Sequence, residues 1–214
     1  AIQEFEITPS PSGIRVRFYV TSFCENGNLL SQWRAYAASG YSLGFDASHL
    51  KSSEIDGESD RRIRLRRVVY RSDVQRSLIN RIIDLFSAHV CSEVPEGTHK
   101  DNRILGECLS ALIMLLWSVV PQLKDPVFEE EHEWRLVYIS IQDKPLQLVE
   151  FRQAATSLVP YISLDLRTGS PPLLPLVQVT HAPSPEPDLA KVALRDFLKS
   201  LHYPETTTVA GSNI

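Results

Sequence analysis

The sequence predicts an α+β domain built on a mixed or mainly antiparallel sheet, with three to four packed helices. Two observations predict it. Runs rich in β-branched and aromatic residues outnumber stretches of helical period, and the runs of the second half follow one another without the intervening helices that a doubly wound sheet needs. A third bounds it: 214 residues, 43% of them hydrophobic and 22% charged, are enough for one good core and do not force a second domain, so residues 1–214 are expected to form a single domain.

Taken in order, Ala1 to Ile14 alternates weakly through Ile2, Phe5 and Ile7 and breaks at Pro9 and Pro11, a short strand followed by a turn. Phe18, Tyr19 and Val20 open the next strand, which reaches Thr21 and Ser22 as its apolar run ends. Glu25 to Asn28 makes a turn, and Leu29, Leu30, Trp33, Tyr36 and Ala37 follow at helical spacing until Gly40. Tyr41 to Phe45 is again a strand, so this stretch reads as one strand, turn, helix, strand unit with polar groups at one end. His49 to Arg62 has the composition of a surface loop, and Ile63 to Tyr70 that of a strand whose first half is basic on one face.

From Ser72 the period becomes helical, with Val74, Leu78, Ile82, Leu85, Phe86 and Val90 along one stripe. Pro95 to Arg103 is a charged break. Ile104 to Val120 is the most apolar helix, ended by Pro121 and expected at the centre of the core. Strands follow at Trp134 to Ile139, Leu146 to Phe151, Leu158 to Leu166 and Leu176 to Thr180. The last helix, Asp188 to Leu201, carries Leu189, Val192, Ala193, Phe197 and Leu198 on one side, and Thr206 to Ala210 forms a closing strand.

A formal charge of −4 argues against a protein that coats nucleic acid or a membrane surface. Cys24, Cys91 and Cys108 have neither disulfide nor zinc spacing and suit a reducing cytoplasm, and the six histidines show no ligand spacing, so no metal site is expected. The longest apolar run, Ala111 to Pro121, is too short to span a membrane.

Several spaced blocks together resemble a bacterial family known as domain of unknown function 2971: Ser22-Phe23 at a strand end, Trp33 and Tyr36 on a helix, Gly40, Phe45-Asp46, Val69-Tyr70, and Glu131, Glu133, Trp134, Arg135 and Leu136 entering a strand. Family members begin with an upstream segment that has no counterpart here, so the resemblance implies a missing N-terminal segment. A second similarity is to the arginine-serine-glutamate ADP-ribosyltransferases, and the fold admits an ADP-ribosyltransferase-like layout. Thr21-Ser22 looks like the end of their serine motif and Glu131-His132-Glu133 like their Glu-x-Glu.

That similarity implies NAD as substrate, a protein or nucleic-acid acceptor, and a role as toxin or antiphage effector. Cleaving the nicotinamide-ribose bond develops positive charge on the sugar, which a carboxylate stabilises; Glu133 takes that role, with Ser22 holding it. Glu131, expected on the same strand face, would accept the proton of an attacking group if its like-charged neighbour raised its pKa. Trp33 and Tyr36 would wall the cofactor, with Thr21 beside it. The diphosphate needs an arginine, for which Arg15 and Arg17 are the candidates upstream of the serine, unless a partner protein or the missing segment supplies it.

Each of these residues also has an ordinary structural use. Ser22 can be a turn hydroxyl, Glu131 and Glu133 can pair with Arg135 or Arg34, Trp33 and Tyr36 can be helix-to-sheet packing, and His132 points away from the acids. The competing class is therefore a non-enzymatic regulatory or interaction module whose Ser, Glu and Arg side chains are a structural network. A metal-dependent nuclease is weaker still, for want of a spaced acid and lysine set.

Overall fold

A computed structural model describes residues 3–7, 16–36, 39–51, 63–93, 102–141, 149–154 and 156–214. The elements in chain order are β1 (Gln3–Ile7), β2 (Val16–Cys24), α1 (Leu30–Tyr36), β3 (Tyr41–Phe45), α2 (Ala47–Lys51), β4 (Arg64–Arg67), α3 (Ser72–Glu93), α4 (Asn102–Trp117), β5 (Glu133–Ile141), β6 (Val149–Gln153), β7 (Leu158–Ile162), β8 (Leu176–His181), α5 (Pro187–Ser200) and β9 (Thr208–Gly211). The α+β class and the antiparallel majority are as the sequence predicts. The turn at Pro9 and Pro11, most of the 49–62 loop and most of the 95–103 break lie outside the described residues.

The chain divides into two compact units, Ala1–Phe23 with Glu54–Ser163 and Cys24–Ser53 with Leu164–Ile214. The first holds a four-stranded sheet in the order β1-β2-β5-β4 and the antiparallel pair β6-β7. β1 runs antiparallel to β2, and β4 antiparallel to β5 with Arg64 opposite Val137 and Arg66 opposite Arg135. The two faces of the central strands are both covered, which is why Phe18 and Tyr19, adjacent in sequence, are both buried. Tyr19 lies against Tyr138 with ring centres 6.0 Å apart, while Phe18 takes the edge of Trp117 from α4 at 6.4 Å.

α3 begins at Ser72 as expected, and the side chains it withdraws from solvent are Gln75, Leu78, Ile79, Ile82, Phe86 and Val90; Val74 and Leu85 are exposed instead. α4 is not the sheltered central helix that its composition suggests. None of its described side chains is buried, and Leu109 and Leu115 are exposed.

In the second unit β3 pairs antiparallel with β8, and β8 pairs parallel with β9. β2 and β3, read from the sequence as one unit joined by α1, therefore belong to different sheets. The core here is Val179, Leu194 and Leu198, with Leu176, Tyr203 and Val209 packed around them. α5 turns its Leu194 and Leu198 stripe inward, one helical turn apart, and leaves Leu189, Val192 and Phe197 exposed, contrary to the predicted core stripe, where only Leu198 was right. Its start is set by Pro187 at the first helical position, where a missing N–H costs nothing.

Among the described residues no helix is long and apolar enough to cross a membrane.

Candidate functional site

Among the described residues of the first unit, the densest set of charged side chains withdrawn from water lies where β2 and β5 are neighbours. Its construction starts at Tyr70 and Lys124. Val69 donates its N–H to the Gln122 carbonyl at 2.7 Å and Lys124 donates back to the Val69 carbonyl at 3.2 Å, a single parallel bridge that draws two distant segments together. The Gln75 amide of α3 locks it, donating to the carbonyls of Val69, Tyr70 and Lys124 at 2.7, 3.2 and 2.8 Å.

Asp125 then caps a 3-10 helix, Pro126–Glu131, by accepting the Val127 N–H at 2.9 Å, and His132 ends it in the left-handed region at φ 41°. That reversal places Glu133 as the first residue of β5, where its N–H donates to the Tyr70 hydroxyl at 2.8 Å and its carbonyl accepts from Val68 at 2.9 Å.

The side chains close into a network. Lys124 Nζ donates to Glu131 Oε2 at 2.7 Å and to Glu133 Oε2 at 2.9 Å, and lies 4.8 Å from the centre of the Phe128 ring. Arg135 grips Glu133 with both arms, Nε to Oε1 at 2.9 Å and Nη2 to Oε2 at 3.1 Å, and its Nη1 donates to the Pro121 carbonyl at 2.7 Å. Ser22, from the neighbouring strand β2, is hydrogen-bonded to the same carboxylate. Two carboxylates and two cations balance, as ions this far from water require.

Glu133 is 3% exposed. Burial alone would raise its carboxyl, but the hydrogen bonds from Arg135, Ser22 and Lys124, with the Arg135 charge, outweigh it and hold the group at about 2. Burial would likewise lower the Lys124 ammonium, and its bonds to Glu131 and Glu133 hold it above the ordinary lysine value. Burial, together with the Glu133 charge, raises the Tyr70 phenol. At neutral pH Glu133 is thus an ionised carboxylate held between two cations.

The structure brings Ser22, Glu131, Glu133 and Arg135 together, but not as one strand face. Glu131 stands on the 3-10 helix, not on β5, and among the described residues its ion pair to the cluster is with Lys124. Arg17 and Thr21 lie on β2 an odd number of residues from Ser22, and so on the alternate side of the strand. Trp33 and Tyr36 belong to the second unit. Trp33 is buried and donates its Nε1–H to Asn28 Oδ1 at 2.8 Å; Asn28 Nδ2 donates in turn to Asn213 Oδ1 at 2.6 Å. Tyr36 is 82% exposed.

Lys124 and Tyr70 were not foreseen as members of the cluster. Lys124 stands seven and nine residues before its two acids, a spacing without meaning until the 3-10 helix folds it back. His132 is exposed and ends the 3-10 helix. Cys24 and Cys108 form no disulfide, and no group of three metal-ligating side chains gathers among the described residues.

Residues 32–136 match the family described as "Protein of unknown function (DUF2971)", so the family resemblance holds over that stretch, which includes Trp33, Tyr36, Gly40, Val69-Tyr70 and the Glu131 to Leu136 block. Neither the curated proteins nor the solved structures give a match to the chain.

Proposed function

We propose that this chain is an NAD-cleaving or ADP-ribose-transferring effector whose reacting centre is the Ser22–Glu133 pair. The observation that carries the reading is the hydrogen bond between a hydroxyl at the end of β2 and a carboxylate at the start of the neighbouring strand β5. Glu133, ionised throughout the physiological range, stabilises the positive charge that develops on the ribose as the bond to nicotinamide breaks and its electron pair leaves with the base. Ser22, exposed where Glu133 is buried, stands on the open side of the pair and fixes the carboxylate. Lys124 must swing away from Oε2 for a ribose hydroxyl to take its place. Glu131, tied to Glu133 through Lys124, takes the proton of the attacking water or acceptor as the attacking oxygen bonds to the ribose.

The competing reading, a non-enzymatic module, is favoured by the completeness of the pairing around Glu133. A carboxylate that accepts from Arg135, Lys124 and Ser22 has little left to offer a ligand. The test is NAD consumption by the purified chain, followed as nicotinamide release, with Ser22→Ala and Glu133→Gln beside it. The enzyme reading expects turnover lost in both variants while Ser22→Ala remains folded at the assay temperature. A wild type that releases no nicotinamide, or a Ser22→Ala variant that releases as much as wild type, leaves the structural module standing.

A further inference from the structure

β4 sets Arg64 and Arg66 on the same side of the sheet as the cluster. In antiparallel register Arg66 lies directly opposite Arg135 and Arg64 opposite Val137, and directly opposed residues share a face. Arg135, two residues from Glu133, lies on the Glu133 face, so this side carries Ser22, Glu133, Arg135, Arg66 and Arg64. The carboxylates there are already spent: Glu133 on Arg135 and Lys124, Glu131 on Lys124. Among the described residues neither Arg64 nor Arg66 has a carboxylate partner.

Like charges directly opposite destabilise a strand pair, and opposed Cβ atoms stand only about 5 Å apart. Arg66 is moreover partly withdrawn from solvent, where an unpaired guanidinium is least comfortable. Arg135 has donated three of its five N–H groups, leaving two for a further acceptor. Arg64 stands about 7 Å along the strand from Arg66. The arrangement is a compact triangle of cations with spare planar donors beside a carboxylate.

We infer that Arg66, Arg64 and Arg135 form an oxyanion site for the phosphoanhydride group of a small ligand. Guanidinium forks match phosphate oxygens in pairs, and two arginines of one strand face with a third across the ladder span two linked phosphates rather than an extended backbone. The net charge of −4 and the acids beside the site disfavour a polynucleotide. This deepens the NAD reading, whose diphosphate needs a cation, and rests on it only for the choice of NAD among phosphoanhydrides.

The test is calorimetric titration of the purified chain with inorganic pyrophosphate at fixed ionic strength, beside Arg66→Gln, Arg64→Gln and, as control, Arg167→Gln, whose arginine pairs with Asp165 in the second unit. Expected are a saturable site in the wild type, affinity at least tenfold weaker in Arg66→Gln, a smaller loss in Arg64→Gln and none in the control. Without ligand, Arg66→Gln unfolds no earlier than wild type, since it removes a like-charge opposition, so its loss of binding is not a loss of fold. No saturable binding by wild type, wild-type affinity in Arg66→Gln, or a single-stranded oligonucleotide that binds and resists pyrophosphate overturns the inference. Pyrophosphate binding without nicotinamide release removes the NAD reading alone; nicotinamide release with an unchanged KM in Arg66→Gln removes this one alone.

Discussion

The Glu133 network of the first unit and the Trp33–Asn28–Asn213 chain of the second solve the same problem with opposite means. Each ties together segments distant in sequence by polar groups around a buried side chain. One uses four formal charges, Glu131, Glu133, Lys124 and Arg135, and the other uses two amides and an indole N–H. Charges withdrawn from water are costly unless paired, so the first is strong only while complete, whereas neutral partners tolerate loss one bond at a time. A structure that wanted only a tie would do as well with amides. The charged version is therefore the one that a single substitution damages most.

The difference is broken most sharply by neutralising Glu133. Glu133→Gln leaves Lys124 and Arg135 facing Glu131 alone, an uncompensated charge away from solvent, and should cost about 3 to 5 kcal/mol in urea unfolding. A cost below about 1 kcal/mol would mean that the network is looser than its distances.

Acid is the next lever. Burial alone would raise the Glu133 carboxyl; Arg135, Ser22 and Lys124 outweigh that and depress it from 4.5 to about 2. A depressed folded-state value contributes stability above the unfolded value, and that stability is lost as pH falls from about 4.5 towards about 2. The contribution is of order 3 kcal/mol, and the unfolding free energy of Glu133→Gln should fall less steeply than that of wild type through the same window. Equal slopes for the two proteins would remove Glu133 as the cause.

How far this contrast could be read beforehand depends on which contacts are local. The strands around Phe18 to Val20, Tyr41 to Phe45 and Leu176 to Thr180, and the helices from Ser72 and Asp188, show in residue type and period, because each is decided by its own side chains. The Ser22–Glu133 meeting was legible only through spaced blocks. Lys124 was not legible at all: its place depends on the Val69–Leu123 bridge and on His132, a non-glycine residue at positive φ that alternation cannot foresee. The exposed faces of α4 and α5 went wrong for the opposite reason, since an apolar stripe states what can be buried and not what is there to bury it.

The neutral chain should break more gently. Asn28→Ala removes the acceptor of the buried Trp33 Nε1–H and the donor to Asn213, a loss of about 1 to 3 kcal/mol. Because no ionisable group takes part, that loss should be the same between pH 7 and pH 3. A loss that grows or shrinks with acid would tie the chain to a titrating neighbour and end the contrast.

Tyr36 gives the smallest effect and the finest discrimination. It stands three residues after Trp33 on α1, yet Trp33 is 4% exposed and Tyr36 82% exposed, so one helix presents an aromatic ring inward and another to water. Truncating an exposed ring away from caps and charges changes stability by less than about 0.5 kcal/mol. Tyr36→Ala should therefore unfold with the wild type, while Trp33→Ala, which empties a buried aromatic site and strands Asn28, costs about 3 to 5 kcal/mol. If Tyr36→Ala instead destabilises by more than about 1 kcal/mol, the ring has a structural partner. If it leaves stability alone but lowers nicotinamide release, the exposed ring belongs to the working surface and the buried one to the scaffold.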